Sequence, residues 1–232
     1  MAALGAGLLA GGGTALGVAL ATQVHAPQPT AAQRGTIAAP PRPVRADAPA
    51  ARVIAAVLER LRGEMTPHAL TASLPVWLSI PAIGVNGPLG EVGRNPNGTI
   101  QVPPLYARPS EAAWYRLSPT PGALGPAVIV GHVDDYLGPA VFFHLGALRP
   151  GEQVDVRRAD GTVAVFRVDG VRRYAKTAFP TAAVYGTTRA AALRLVTCGG
   201  AFDAATRHYL DSIVVYASLA GVRHVLPTSP AA

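Results

Sequence analysis

The stretch LRLVTCGG, residues 193–200, constrains this chain most, because an apolar run ends there in the only cysteine of the chain and a glycine pair. Alternation along a strand would place Leu195 and Thr197 on one face and Arg194 and Cys198 on the other. The glycines would let the backbone turn sharply and would leave room for a ligand beside the thiol. The pattern indicates either a nucleophilic thiol at a strand end or a small buried hydrophobic side chain.

The single cysteine also limits the possible chemistry of the chain. It excludes an intramolecular disulfide and a zinc site built from several thiolates. The net charge of +7 is scattered along the sequence, without the interleaved aromatic and basic residues of a nucleic-acid binder. We therefore expect a weak attraction to anionic membrane or cell-wall surfaces, and we expect no nucleic-acid partner, no metal and no cofactor.

The N-terminal part of the chain resembles a membrane anchor on a tether. Residues 2–21 carry no charge and could cross a bilayer core of ~30 Å as a helix. A cleaved signal peptide is the alternative, but the long apolar run without a basic start favours an uncleaved anchor. The predicted organisation is an anchor at 1–21, an extended, unpacked Pro/Ala-rich linker at 22–50, a short helix and connector at 51–74, a globular domain at 75–220 and a disordered tail at 221–232.

The globular part has the pattern of an all-β domain. Short strands are expected at 76–80, 98–103, 126–132, 162–174 and 211–219, separated by turn signals about ten residues apart. The segment 110–117 begins with a candidate N-cap serine, which predicts one or two helical turns. Many short strands with little helix favour a closed barrel or a sandwich.

A nucleophilic cysteine needs a basic partner, which is usually distant in sequence. His132 is the best candidate, since it follows an apolar strand and Gly131, while His208 is the second choice. Attack on a carbonyl would also need a cation to hold the oxyanion. Arg207, nine residues after the thiol, and Arg194 are the candidates, and an exposed arginine without a role is the alternative for either.

Three motifs resemble the sortases, the cysteine transpeptidases of Gram-positive cell surfaces. They are GHVDDYLGPAVFFHL at 131–145, LVTCGGAFD at 195–203 and the ending YLDSIVVYA at 209–217. The resemblance covers about 76–219 and is strongest to the actinobacterial class F sortases, whose layout of anchor and Pro-rich tether also agrees.

The resemblance implies an eight-stranded β-barrel with a few short helices, in which His132, Cys198 and an arginine meet in one groove. The Cys198 thiolate would attack the Thr–Gly bond of an LPxTG-like signal at the C-terminus of a surface protein, and His132 would protonate the leaving amine. An amine of a cell-wall precursor or a pilin lysine would then resolve the thioester. The domain would lie outside the cell, on a single-pass anchor.

Two positions depart from the family pattern. Arg194 stands where the TLxTC motif begins with threonine. The family arginine lies near the start of the last strand, at positions filled here by Leu210 and its two successors, whereas Arg207 matches the spacing of class E relatives. We therefore predict that His132, Cys198 and Arg207 are catalytic.

Thr197, which precedes the nucleophile, is expected either to contact substrate or to pack the strand. Asp134 and Asp135 alone do not form the acidic calcium loop of some class A sortases. Two other functions remain open at this stage. One is a hydrolytic cysteine peptidase, and the other is a non-catalytic wall-binding barrel with an inert Cys198.

Overall fold

The computed structural model describes residues 25–37, 69–104, 111–136 and 138–224 of the chain. Within these residues the helical elements are short: 3-10 turns at Ala31–Arg34, Pro81–Ile83, Leu145–Ala147 and Lys176–Ala178, and the α-helix α1 at Thr181–Tyr185. The strands run over Pro75–Ile80 (β1), Val85–Val92 (β2), Ala112–Tyr115 (β3), Gly125–Val130 (β4), Asp134–Asp135 (β5), Gly138–Pro139 (β6), Gln153–Arg158 (β7), Thr162–Ala175 (β8), Ala191–Asp203 (β9) and His208–His224 (β10).

Eight of these strands close into a barrel. Their order is β1-β2-β3-β4-β9-β10-β8-β7, and β7 pairs back with β1. Side chains that alternate along the strands point inward and form one apolar core. Its largest fully buried aliphatic and phenylalanine side chains include Leu78, Ile80, Ile129, Phe142, Phe166, Leu195 and Ile213. The prediction of a closed eight-stranded barrel with few helices is confirmed.

The sheet is covered on both faces where β4 and β9 pair in parallel, from Gly125–Ala191 to Val130–Val196. All six residues of β4 are buried. Ile129 points into the barrel, whereas Val128 belongs to a second apolar cluster on the outside. Burial on both faces explains why β4 is apolar without alternation.

Two local predictions were wrong. The segment 110–117 contains the strand β3 rather than helical turns, because its apolar residues are buried on both faces between β2 and β4. Pairing with these neighbours overrides the helix preference of its alanines. The predicted strand at 98–103 is reduced to one isolated bridge, between Ile100 and Arg94.

Part of the predicted linker packs on the barrel instead of remaining unpacked. The Gln33 side chain is 7% exposed, and its Nε2 donates to the carbonyls of Gly146 at 2.9 Å and Leu148 at 3.1 Å. Its Oε1 accepts a hydrogen bond from the Thr30 N–H. The Pro/Ala-rich composition therefore gave no sign that Gln33 bonds this segment to the barrel.

The predicted anchor at 1–21, most of the predicted helix and connector at 51–74 and most of the predicted tail lie outside the described residues. Within the part of the chain that the structure describes, no helix has the length and hydropathy needed to cross a bilayer.

Replacing Gln33 with alanine should destabilise the protein. The change leaves two buried carbonyls without their donor, which should lower the free energy of unfolding by about 1–3 kcal/mol. Urea unfolding of the full-length protein measures this loss. Gln153→Ala is the matched control, because Gln153 bonds only the Asp155 side chain and should cost less than about 1 kcal/mol. An equal loss in both variants would contradict the anchoring role of Gln33.

Candidate functional site

Cys198 lies on the outer face of β9. Leu193, Leu195 and Thr197 are buried toward the barrel, whereas Val196 packs against the outer clusters, so the predicted alternation is confirmed. The thiol is half-buried and faces away from the core. This exposure makes it accessible to a ligand, unlike a buried structural cysteine.

The glycine pair does not turn the chain as the sequence predicted, since β9 continues to Asp203. Gly199 pairs with Asp211 of β10, and the register then shifts before the next pair. Gly200 has a φ of 76°, and a Cβ there would come within 2.3 Å of the Asp211 carboxylate. The glycine pair therefore forms a β-bulge just after the thiol. The Gly200 N–H donates to Gln28 Oε1 at 3.1 Å, so the packed N-terminal segment reaches this bulge.

His132 follows β4 at the position that matches Cys198. Val130 pairs with Val196 in the last pair of this parallel ladder, and the same register continued two residues further would bring His132 to the level and the face of Cys198. The position before His132 requires glycine, because a Cβ on Gly131 would come within 2.7 Å of the Val141 and Phe142 side chains. The register of β4 and β9 therefore favours a site in which the two predicted residues lie side by side.

Thr197 ties these two segments together. Its side chain is 4% exposed, and its Oγ1 donates to the Gly131 carbonyl at 2.8 Å. The Gly131 N–H in turn donates to the Val196 carbonyl at 3.2 Å. This geometry matches the strand-packing interpretation of Thr197 rather than direct substrate contact.

The imidazole of His132 is oriented by a backbone carbonyl. Its Nε2 lies 2.6 Å from the Pro103 carbonyl oxygen. Since a carbonyl only accepts, this contact requires a proton on Nε2. The neutral ring therefore has Nδ1 free to accept a proton, and the charged ring has Nδ1–H to donate.

Sequence reasoning missed a second link beside the site. Tyr209 of β10 donates its hydroxyl to Asp134 Oδ2, in the loop that follows His132. Burial, together with the Asp134 carboxylate, raises the pKa of Tyr209, and Cys198 adds a smaller effect of the same sign. Tyr209 therefore remains a neutral donor close to the thiol. The only signal in the sequence was its place within the ending motif at 209–217.

The two candidate arginines lie in different surroundings. Arg207 is exposed in the turn between β9 and β10, with a φ of 56°, and within the described residues no hydrogen bond or ion pair joins it to Cys198. Arg194 is 6% exposed, and its guanidinium carbon lies 4.4 Å from the centre of the Tyr216 ring. Within the part of the chain that the structure describes, the hydrogen bond at the thiol comes from neither arginine. His208, the second-choice base, is exposed at the start of β10.

A cation that sequence reasoning did not single out lies closer to the thiol. Lys176 follows the last residue of β8, and its Nζ lies 3.5 Å from Cys198 Sγ. Twenty-two residues separate the two positions, so sequence spacing gave no signal. Among the residues that the structure describes, no three potential metal ligands converge.

Comparisons with known proteins agree with this architecture. A family model for the Sortase domain matches residues 78–220, more than half of the chain. The structure of sortase A from Listeria monocytogenes superposes with a TM-score of 0.50 at 15% identity, covering 68% of this chain and 93% of that one. The SrtA sortase from Actinomyces oris gives a TM-score of 0.50 at 19% identity, covering 71% and 93% respectively. A search of curated proteins finds no match.

Replacing Thr197 with valine should loosen the loop that carries His132. Valine keeps the shape but leaves the buried Gly131 carbonyl without its donor, at a cost of about 1–3 kcal/mol in unfolding free energy. We expect faster amide hydrogen exchange over residues 131–136 in Thr197→Val than in Thr197→Ser, which keeps the hydroxyl. Mass spectrometry of the exchanged full-length proteins measures the difference. Equal exchange in the two variants would show that this hydrogen bond does not hold the loop.

Proposed function

Because this chain belongs to the sortase family of cysteine transpeptidases, we propose that it cleaves an LPxTG-like sorting signal after threonine and joins the new carboxyl end to an amine. Its substrates are surface proteins with C-terminal sorting signals. Its acceptors are cell-wall precursors or pilin lysines. The motifs around His132 and Cys198 favour class F within the family.

The observation that carries the proposal is the parallel register of β4 and β9. Continued past its last pair, Val130 with Val196, this register supports a site in which His132 lies beside the half-exposed Cys198. Nucleophilic catalysis by cysteine needs a thiolate and a proton donor within reach of one substrate bond. The pair meets that need, and the Pro103 carbonyl holds the imidazole in position.

The first step forms an acyl-enzyme. The Cys198 thiolate attacks the threonine carbonyl carbon, an S–C bond forms, and the carbonyl π electrons move to oxygen. When this oxyanion collapses, the C–N bond breaks and the leaving nitrogen takes a proton from the His132 imidazolium. The products of the step are a thioester on Cys198, a free glycine amine and a neutral His132.

The second step transfers the acyl group. The acceptor amine attacks the thioester carbonyl and gives a proton to His132, and Cys198 departs as a thiolate. Both residues then regain their starting protonation states. Water in place of the amine would give a free acid, so the product distinguishes a transpeptidase from a peptidase.

The proposed location follows from the family and the uncharged N-terminal segment. Sortases are generally membrane-associated enzymes of the cell surface. We place residues 1–21 in the membrane as a single span, with the barrel on the extracellular side. The described residues 25–37 would then join the span to the barrel near the site.

The proposal predicts specific losses in a product assay. The full-length protein is incubated with LPxTG and LAxTG peptides, with and without glycine- or diaminopimelate-bearing amines, and products are followed by mass spectrometry. We expect cleavage after threonine with transfer to the amine, no acyl-enzyme in Cys198→Ala, and a kcat/KM about 10²–10⁴-fold lower in His132→Asn.

His144→Asn is the matched control, because that histidine is exposed and stacks edge-on against Phe143. It should retain wild-type turnover. His208→Asn tests the second-choice base. Free acid as the sole product, independent of amine, would overturn the transpeptidase proposal. A loss in His208→Asn equal to that in His132→Asn would overturn the assignment of the acid.

A further inference from the structure

The only lysine of the chain lies against its only cysteine. Lys176 Nζ donates to Cys198 Sγ at 3.5 Å. We propose that Lys176, rather than an arginine, is the cation that stabilises the Cys198 thiolate and then the oxyanion formed at the substrate carbonyl. This inference rests on the proposed transpeptidase function and deepens it by naming a third catalytic residue.

The sheet brings the two residues together across one strand. β10 lies between β8 and β9, and Ser212 of β10 pairs with Tyr174 on one side and with Cys198 on the other. Side chains paired directly in antiparallel strands share a face, so Tyr174 and Cys198 point the same way. Ala175 is still extended, with φ −60° and ψ 134°. Lys176 therefore continues the alternation and emerges on the face of the thiol.

The neighbouring arginine on β8 points the other way. Arg173 pairs with Ile213, which is buried inside the barrel, so alternation sets Arg173 on the face opposite Cys198. Its Nε also forms an ion pair with Asp211 Oδ2 at 3.3 Å, which compensates its charge. The Arg173 side chain therefore points away from the thiol, and its charge is compensated by Asp211, whereas Lys176 lies on the face of the thiol.

The two arginines expected from sequence are also poorly placed for the role. The guanidinium of Arg194 lies over the Tyr216 ring, and its Nη1 donates to the Leu193 carbonyl at 3.0 Å. Arg207 lies in the hairpin turn, beyond the end of β9, which extends five residues past Cys198.

An ammonium at this position can serve both charged states of the reaction. Before substrate is attacked, the positive charge of Lys176 lies next to the negative charge of the Cys198 thiolate and stabilises it. On attack, the negative charge moves from sulfur to the carbonyl oxygen, two bonds away. Lys176 has three donors on a flexible stem, so it can follow that charge, and it neither gains nor loses a proton. Proton transfer remains the task of His132.

Lys176 is also close enough to Cys198 for an unwanted side reaction with the acyl-enzyme. A neutral Lys176 amine would attack the Cys198 thioester and form an isopeptide bond with the acyl group. An ammonium has no lone pair and cannot do so. The proposal therefore predicts that Lys176 is not acylated during turnover.

Alkylation tests the pair without any assumption about substrate. Because Cys198 is the only cysteine, reaction with iodoacetate or iodoacetamide in the full-length protein reports on this thiol alone. Three variants are compared with wild type: Lys176→Met, Lys176→Arg and Arg207→Met. Arg116→Met is the charge-matched control, since Arg116 is exposed and paired with Glu91 at 3.8 Å.

We expect Lys176→Met to lower the rate constant for anionic iodoacetate about tenfold or more at pH 7, and that for neutral iodoacetamide by less. Removing the cation destabilises the thiolate and also removes the electrostatic attraction for the anionic reagent. Lys176→Arg should stay near wild type, as should Arg116→Met. Unchanged alkylation in Lys176→Met, or an equal loss in Arg207→Met, would overturn the assignment. Urea unfolding of each variant excludes a loss through misfolding.

Turnover separates this inference from the function on which it rests. With a peptide that wild type transfers, Lys176→Met should lower kcat about 10²–10³-fold and leave KM little changed. Tryptic mapping should find no acyl group on Lys176, and an isopeptide there would overturn the cation role in favour of an acceptor role. If wild type transfers none of the peptides, the proposed function fails on its own, while the alkylation result still decides whether Lys176 activates the thiol.

Discussion

The parallel pairing of β4 with β9 is the constraint on which the site depends. Its hydrogen bonds end at Gly131, which is bonded to both Val196 and Thr197, so the register brings the proposed catalytic residues His132 and Cys198 toward the same level. Parallel strands are stable where both faces are covered, and an outer apolar cluster meets that condition here. Burial on the outside of the barrel is therefore part of what positions His132 and Cys198.

A second constraint comes from β10, which separates β8 from β9. The bulge at Gly200 shifts the pairing of β10 with β9 just after the pair of Asp211 with Gly199. On its other side, β10 pairs with β8 as far as the pair of Asp211 with Ala175. The pairing of β10 with β8 therefore ends at Asp211, the same residue at which its pairing with β9 shifts register. At the bulge the Gly200 N–H donates to Gln28, and Lys176, which follows the last pair with β8, donates to the thiol. The antiparallel sheet thus gathers groups that are far apart in sequence.

The sequence predicted features that depend on local periodicity, and it failed where long-range pairing decides. The alternation around Cys198 was correct, because the side-chain period is a local signal. Strand spacing left a barrel and a sandwich both open, and the closed barrel was expected from the resemblance to the sortases. The strand β3 was assigned as helix, because its neighbours β2 and β4 determine its conformation. The proximity of Lys176 to Cys198 requires the order β8-β10-β9, which spacing alone does not contain. For the same reason, sequence spacing singled out Arg207 as the candidate cation and gave no sign of Lys176.

The N-terminal segment shows how composition can conceal a specific contact. Proline and alanine favour an extended chain without a core of its own, yet two glutamines of this segment bond specifically to the barrel. Gln33 satisfies two carbonyls of the turn after the His132 loop, and Gln28 accepts from the bulge after Cys198. Each contact ends on backbone polar groups that would otherwise need water. The segment that leads toward the predicted membrane span is therefore bonded to the bulge next to Cys198 and to the turn that follows the His132 loop.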